Sequence, residues 1–313
     1  MKVFVFVFAL LGATLAFAGR YDPAYWRMVR KGVEAKIVLT VVDDLGSPVP
    51  DAAVHAIFSR TNDLDPLDGK TDARGKCAFQ HLTNGNRLEF FISKDGYYGS
   101  QIQFSLIKMG AEHKIENGRW QPWPLDSKLV LRRKRIPSSQ LREGWLNVPA
   151  TNVWIGIDME NLAFVKPYGN GKVADFEFRA NWDGLPPPLS KYCDAELRFV
   201  TPLSGGYYSE CVKESHYPLS YAVKGTDFSV KHVKIVDRDG GPHKGKAPFR
   251  DNAELITRTR CVLDENGNLV SSVFGSVFDF RVGPSFKGSP ILFLGLIFNP
   301  IPNDTNLEPK NWP

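Results

Sequence analysis

The sequence I-V-L-T-V-V-D-D-L-G-S-P-V-P-D-A-A-V-H-A-I-F, residues 37–58, holds the pattern that decides the fold. Two runs of β-branched and apolar residues flank a turn rich in Asp, Gly and Pro, which is typical of two strands with a short connection. Further runs follow, separated by turn residues at 72–75 and 95–96. Short strands that recur with turns between them predict an all-β sandwich.

One short helix is predicted ahead of the first strand. Asp22 is a favourable helix cap, Pro23 suits the first helical position, and Gly32 suits the residue that follows the last turn.

The region from about residue 145 to the C terminus is also rich in strand patterns. Two alternating runs, 254–263 and 269–280, are joined by a turn that contains Asn266 and Gly267, which predicts a hairpin. The unbroken apolar run 291–298 is typical of a central strand that is buried on both faces. These elements predict a second, larger β-sandwich.

Composition excludes some broad classes. The 313 residues are 43% hydrophobic and 23% charged, which rules out a wholly disordered or collagenous chain. The 27 glycines and 22 prolines favour short elements with many turns. The net charge of +5 is too small for the dense positive field of a duplex-binding protein, so no nucleic-acid partner is predicted.

The N terminus has the features of a secretory signal peptide. Lys2 precedes an uncharged apolar run, and Ala16-Phe17-Ala18 fits the cleavage pattern, so cleavage after Ala18 is predicted. The alternative is an uncleaved anchor, but the run is shorter than the roughly 20 residues of a spanning helix. We expect a secreted or periplasmic protein without a transmembrane segment after cleavage.

Four cysteines, at positions 77, 193, 211 and 261, lack the C-x-x-C spacing of common zinc sites. Such a chain outside the cytosol can form disulfides. We favour a disulfide between Cys193 and Cys211, which lie in one segment, and four buried thiols are the alternative.

Three motifs carry a family resemblance. V-x-D-D-x-G-x-P-V-x-x-A-x-V at 41–54, G-K-T-D-A-R-G-K-C-A-F at 69–79 and K-D-G-Y-Y at 94–98 resemble the carboxypeptidase regulatory-like domain. The resemblance covers residues 35–136. It implies a seven-stranded, two-sheet sandwich of transthyretin-like, Ig-like topology that accompanies another domain and has no catalytic residues of its own.

A second resemblance covers most of the chain. Residues 164–172, the predicted hairpin and residues 298–308 are similar to uncharacterised secreted bacterial two-domain proteins. This resemblance implies no activity. The predicted organisation is a signal peptide (1–18), a short helix and lead-in (19–34), a carboxypeptidase regulatory-like sandwich (35–136), a linker (137–149) and a second β-sandwich of unknown function (150–313).

Motifs for chemistry are few. The acidic stretch from Asn62 to Gly69 could offer oxygen ligands to calcium, but its spacing differs from an EF-hand and we interpret it as a polar loop. His113 and Glu116 have the H-x-x-E spacing of a zinc site, but no peptidase domain supplies the remaining ligand. No G-x-S-x-G elbow occurs, and no metal or cofactor is predicted.

Ligand-binding candidates are aromatic or charged residues in predicted loops. Aromatic rings can stack on sugar faces, and loops on β scaffolds often carry binding. The candidates are Tyr207, Tyr208, His216, Asp237, Asp239, His243, Trp120 and Trp123.

The sequence therefore predicts a secreted binding or scaffolding protein that is not an enzyme. Its partner would be an extracellular glycan or a cell-surface, extracellular or periplasmic protein. The alternative is a secreted glycan-active hydrolase with carboxylates at the sandwich surface.

Overall fold

The computed structural model describes residues 23–60, 64–107, 115–185, 193–212, 215, 217–235, 253–283 and 289–312. These residues are nearly all β, with one short α-helix near the N terminus, so the predicted fold class is confirmed. The main body of the first compact unit ends at Arg133, and the second unit begins at Lys134. No helix in the described ranges is long and apolar enough to cross a membrane.

Helix α1 spans Pro23–Lys31, as the sequence predicts. Arg30 and Lys31 lie in its last turn, where cations complement the helix dipole. The helix ends at Gly32, whose amide donates a hydrogen bond to the Val29 carbonyl. The predicted cap, Asp22, lies outside the described residues.

The first unit is a sandwich of two sheets. One sheet has the order β4-β1-β8-β7, with β9 also paired to β1, and the other has the order β3-β2-β5-β6. The strands are β1 (Val33–Asp43), β2 (Ala53–Ser59), β3 (Leu64–Lys70), β4 (Lys76–Thr83), β5 (Leu88–Ser93), β6 (Ser100–Phe104), β7 (Ile115–Glu116), β8 (Arg119–Trp120) and β9 (Leu125–Leu131).

Alternation along the strands builds the core of this unit. In β1 the buried positions include Ile37, Leu39 and Val41, which alternate with partly exposed residues. They pack with side chains of the other sheet such as Val54 and Phe90. The period of two places one face of each sheet in a shared apolar core.

The turn at 72–75 closes against β1. Gly75 has φ +72°, and a Cβ there would lie 2.3 Å from the carbonyl oxygen of Val41. Asp72 Oδ1 accepts hydrogen bonds from the amides of Arg74 and Lys76, both at 2.8 Å. The motif residues of this turn therefore have a structural role.

The interpretation of the Asn62–Gly69 stretch as a loop is wrong for its described part. Leu64–Lys70 is the edge strand β3, which pairs antiparallel with β2. Asp68 contacts His55 across that pair at 2.8 Å. An edge strand pairs on one side only, so Pro66 can lie in it without leaving a ladder bond unmade.

The second unit is a sandwich of two five-stranded sheets. Their orders are β10-β19-β18-β17-β15 and β12-β11-β13-β14-β16. The strands are β10 (Gln140–Asn147), β11 (Ile155–Asp158), β12 (Ala163–Phe164), β13 (Phe176–Trp182), β14 (Cys193–Phe199), β15 (Gly205–Glu210), β16 (His232–Ile235), β17 (Ala253–Leu263), β18 (Leu269–Gly283) and β19 (Ile291–Asn299). Phe176, Phe178, Phe280 and Leu294 are among the residues of its core.

The predicted hairpin is confirmed as β17 and β18. Asp264 Oδ1 accepts hydrogen bonds from the amides of Asn266 and Asn268, and Gly267 has a positive φ. The predicted buried strand is β19, which lies between β10 and β18.

The predicted linker differs from the structure. Gln140–Asn147 is strand β10, which pairs with β19 along its whole length. Ser139 also donates a hydrogen bond to Asn306 in the same unit. The basic run and Pro137 obscured a strand that begins three residues later.

One charge network joins the two sheets of the second unit. Arg260, at a bulge in β17, contacts Asp158 at 3.2 Å, Glu160 at 2.8 Å and Asp175 at 2.9 Å. The side chains of Asp158 and Asp175 are fully buried. Desolvation raises the pKa of Asp158, but hydrogen bonds from the Lys172 amide and from Asn161 outweigh it and hold the pKa below its usual value.

Candidate functional site

The candidate site is an open aromatic surface on the outer face of the β10-β19-β18-β17-β15 sheet. Trp145 on β10 lies directly opposite Phe293 on β19, which lies opposite Arg281 on β18. Leu292 and Leu294 belong to the core, so alternation directs Phe293 outward. The rings of Trp145 and Phe293 are 4.9 Å apart, and Trp145 is 59% exposed.

A glycine extends this surface along β19. Gly295 follows Phe293 on the same face, and its Cβ position would lie 2.7 Å from the ring of Phe278. The ring of Phe278 therefore covers the backbone at Gly295. A register shift in β18 between Val277 and Asp279 places Phe278 there.

Trp312 ends the row of rings. Its ring lies 6.3 Å from Phe278. We call Trp145, Phe293, Phe278 and Trp312 the aromatic strip. Three of the four are half-buried, and Trp145 is exposed. An exposed tryptophan beside other aromatic rings is typical of binding surfaces.

Charged groups border the aromatic strip. Arg281 lies 4.4 Å from the centre of the Phe293 ring and forms an ion pair with Asp279 at 2.7 Å. Glu143, which is exposed, lies in register with Gly295, as does Asp279. The border therefore offers both hydrogen-bond donors and acceptors beside flat rings.

Irregular segments of the same unit pack over part of the rest of this sheet face. Tyr217, Leu219 and Leu307 are buried in irregular segments of the same unit. The amide of Ser220 donates a 2.5 Å hydrogen bond to the buried carboxylate of Glu254.

Two of the predicted ligand residues lie on β15. The hydroxyl of Tyr207 accepts hydrogen bonds from the amides of Lys224 and Gly225, both at 3.0 Å, so Tyr207 fixes a turn. Tyr208 is 41% exposed, and burial of the remainder raises the pKa of its hydroxyl. Neither tyrosine is part of the aromatic strip.

The two predicted tryptophans lie in the first unit. Trp120 is buried and donates a hydrogen bond to the Thr83 carbonyl, so it closes the core. Trp123 lies under the guanidinium of Arg119, 4.7 Å from its ring centre.

The remaining predicted ligand residues, His216, Asp237, Asp239 and His243, lie outside the described residues, as does His113. Among the described residues, no group of three or more His, Cys, Asp or Glu side chains is arranged to hold a metal ion. All four cysteines are thiols in the structure, which differs from the predicted bridge between Cys193 and Cys211.

The aromatic strip is not among the sites predicted from the sequence. Trp145 fell in the predicted linker, and Trp312 lies in an irregular segment. The segment 141–147 reads L-R-E-G-W-L-N and lacks a regular apolar–polar alternation, so no local pattern marked it as a strand or Trp145 as an outward-facing residue.

Among known proteins, only solved structures are similar to the chain. No family model and no curated protein match the chain. The chain is similar to a 3-chlorocatechol 1,2-dioxygenase from Rhodococcus opacus, at 15% identity over 33% of this chain and 61% of that chain, with a TM-score of 0.28. A hydroxyquinol 1,2-dioxygenase from Pseudomonas putida matches at 15% identity over 33% and 57%, with a TM-score of 0.23.

A third structure matches more of the chain. It is a DUF3823 family protein from Parabacteroides merdae, at 8% identity over 73% of this chain and 91% of that chain, with a TM-score of 0.20. By contrast, the chain spans about three fifths of the length of the two dioxygenases, 61% and 57%.

The prediction that the protein is not an enzyme is not retained, because two of the matched structures are of enzymes and neither match is evidence for or against an activity of this chain. With TM-scores of 0.28 and 0.23, these two likenesses carry no argument for a dioxygenase activity of this chain.

Proposed function

We propose that the second unit binds an uncharged extracellular glycan on the aromatic strip. The observation that carries the proposal is the row formed by Trp145, Phe293 and Arg281, with an exposed indole beside a second ring. The C–H face of a pyranose is flat and apolar, so it matches such rings, while its hydroxyls match polar groups at the border.

Charge favours a neutral ligand. Glu143 and Asp279 carry two negative charges beside the one positive charge of Arg281, and Asp279 is already paired with Arg281. An acidic polysaccharide would be repelled by the excess acid. A neutral sugar can donate hydroxyl protons to the carboxylates and accept hydrogen bonds from the guanidinium.

The test is binding of the full chain to an array of neutral and acidic glycans, followed by Trp145→Ala. We expect at least tenfold weaker binding to the neutral glycan that the array identifies, which corresponds to about 1.4 kcal/mol. Phe91→Ala, which removes an exposed ring from β5 in the first unit, is the matched control. Unchanged affinity of Trp145→Ala, or loss only with Trp123→Ala, would rule out the aromatic strip.

The first unit supports a more specific assignment. We propose that it is a carboxypeptidase regulatory-like domain, since its two sheets and its motif turns at Gly75 and Gly96 agree with that resemblance. We also propose export of the protein through its N-terminal leader. Mass spectrometry of the mature chain is expected to find Gly19 at the N terminus.

A further inference from the structure

The outer face of the β12-β11-β13-β14-β16 sheet carries an ordered array of charges. Arg179 on β13 lies opposite Glu196 on β14, and Glu177 lies opposite Arg198, so the signs alternate along and across the strands. Their ion pairs measure 2.9 Å and 2.6 Å. Because these charges are paired with each other, we interpret the middle of this face as a solvated polar surface without a ligand.

Glu196 is shared among several cations. Besides Arg179, its carboxylate contacts His232 at 3.1 Å and Lys234 at 3.5 Å, both on β16. The one negative charge of Glu196 therefore faces the positive charges of Arg179 and Lys234. A net positive charge remains on that side, and both cations have hydrogen-bond donors beyond those that Glu196 accepts.

A pocket of about 210 Å³ lies at one end of the sheet, and Arg179 and Glu196 of the charge array are part of its lining. Its described lining is entirely polar and consists of Asn152, Arg179, Asn181, Asp194, Glu196 and Lys234. The volume is below the roughly 300–1,000 Å³ of sites for drug-sized ligands, so it suits one small molecule.

Asp194 differs from the other carboxylates of this face. It lies opposite Asn181, one row beyond the pairs described above. Its Oδ1 atom is buried and accepts no hydrogen bond from any described residue. A buried carboxylate oxygen without a donor costs free energy, so a cation bound at the Asp194 carboxylate would offset that cost.

We infer that the pocket binds a small zwitterion, with an ammonium group at Asp194 and a carboxylate at Arg179 and Lys234. The lining has a negative end and a net positive end, and its total charge is zero. A ligand with one charge of each sign satisfies both ends, whereas a cation or an anion alone satisfies one. Free α-amino acids have this chemistry and a suitable size. The exposed amides of Asn152 and Asn181 can accept or donate further hydrogen bonds.

This inference is independent of the proposed glycan surface, which lies on the other sheet of the same unit. The two can therefore fail separately. A variant in the pocket is not expected to change glycan binding, and Trp145→Ala is not expected to change binding in the pocket.

The test uses calorimetric titration of the full chain with L-alanine, L-alaninamide and N-acetyl-L-alanine. L-alaninamide keeps the ammonium and lacks the carboxylate, and N-acetyl-L-alanine has the reverse charge pattern. We expect saturable binding of L-alanine and at least tenfold weaker binding of each analogue. Asp194→Asn should weaken L-alanine at least tenfold and leave the affinity for N-acetyl-L-alanine nearly unchanged.

The matched control is Asp126→Asn, an exposed acid on β9 in the first unit, which should bind L-alanine like the parent protein. If Asp194→Asn does not fold, Lys234→Met, at a half-exposed side chain on the edge strand β16, should weaken the binding of both L-alanine and N-acetyl-L-alanine. The inference is overturned if L-alanine gives no saturable heat, if either analogue binds as tightly as L-alanine, or if D-glucose binds equally well and depends on Asp194.

Discussion

Replacement of Arg260 by Met tests the account of the charge network in the second unit. The guanidinium contacts three carboxylates, and two of them, Asp158 and Asp175, have fully buried side chains. Desolvation lowers the pKa of Arg260, but hydrogen bonds and charge from Asp175 outweigh it and raise the pKa, so the cation is permanent. Met keeps an apolar stem and removes the charge.

The expected cost follows from what each carboxylate keeps. Asp158 retains hydrogen bonds from the amides of Lys172 and Glu160 and from the side chain of Asn161, so its charge stays stabilised by hydrogen bonds within the protein. Among the described residues, Asp175 retains hydrogen bonds from the Met159 amide and the Thr259 hydroxyl alone. Removing one partner of a buried ion pair typically costs 3–5 kcal/mol, and we expect about 3 kcal/mol here because Asp158 is still satisfied.

The measurement is the free energy of unfolding in urea, followed by tryptophan fluorescence. Arg198→Met is the matched control, since its pair with Glu177 is half exposed and should contribute less than about 1 kcal/mol. Adding Asp175→Asn to Arg260→Met should recover part of the loss, because it removes the unpaired charge. Equal costs for Arg260→Met and Arg198→Met, or no recovery in the double variant, would refute the reasoning.

Three further outcomes are expected. The pKa of Asp158 is lowered in the folded state, so its charge stabilises the fold at pH values above the unfolded-state pKa of about 3.9. This stabilisation is lost as the pH falls through the lowered folded-state pKa, and acid unfolding followed by circular dichroism will detect the loss. Gly46→Ala should cost about 1 kcal/mol, because Gly46 has φ +81° although its Cβ would meet no atom within 4 Å. Gly75→Ala should cost more than roughly twice that, because its φ is also positive and its Cβ would meet the Val41 carbonyl oxygen, and thermal unfolding of the two variants will measure the difference. Iodoacetamide should label Cys261 before Cys77, because the Cys77 thiol is buried and has a raised pKa. After unfolding without reductant, mass spectrometry should find four labelled thiols, whereas two would indicate a disulfide.

Strand patterns with a period of two and specific turn residues could be read from the sequence. The β17–β18 hairpin has both alternating runs and an Asn-Gly turn, so its position follows directly from local chemistry. The interior of β19 is equally clear, since its apolar residues need cover on both faces. These elements fix the fold class.

Edge strands were harder to predict because their residues satisfy weaker constraints. β3 contains Asp65, Pro66 and Gly69, which are common in loops, and pairing on one side suffices to hold them. β10 follows a basic, proline-containing stretch and has no regular apolar–polar alternation, so this segment was interpreted as a linker.

The candidate site could not be predicted because it depends on pairing between distant segments. Trp145 and Phe293 are 148 positions apart and meet only when β10 pairs with β19. Likewise, the contact between Phe278 and Trp312 needs a bulge in β18 and the absence of a side chain at Gly295. Tertiary register, rather than local sequence, places these rings together.

The position of β10 also determines where the chain can safely be divided. A fragment that began at Ala150 would leave one side of β19 unpaired, and six consecutive residues of that strand, Leu294–Asn299, are buried. An apolar strand with unpaired amides and carbonyls is a template for intermolecular β-pairing, so such a fragment is expected to aggregate. A fragment that begins at Lys134 retains the covering strand and is expected to remain monodisperse.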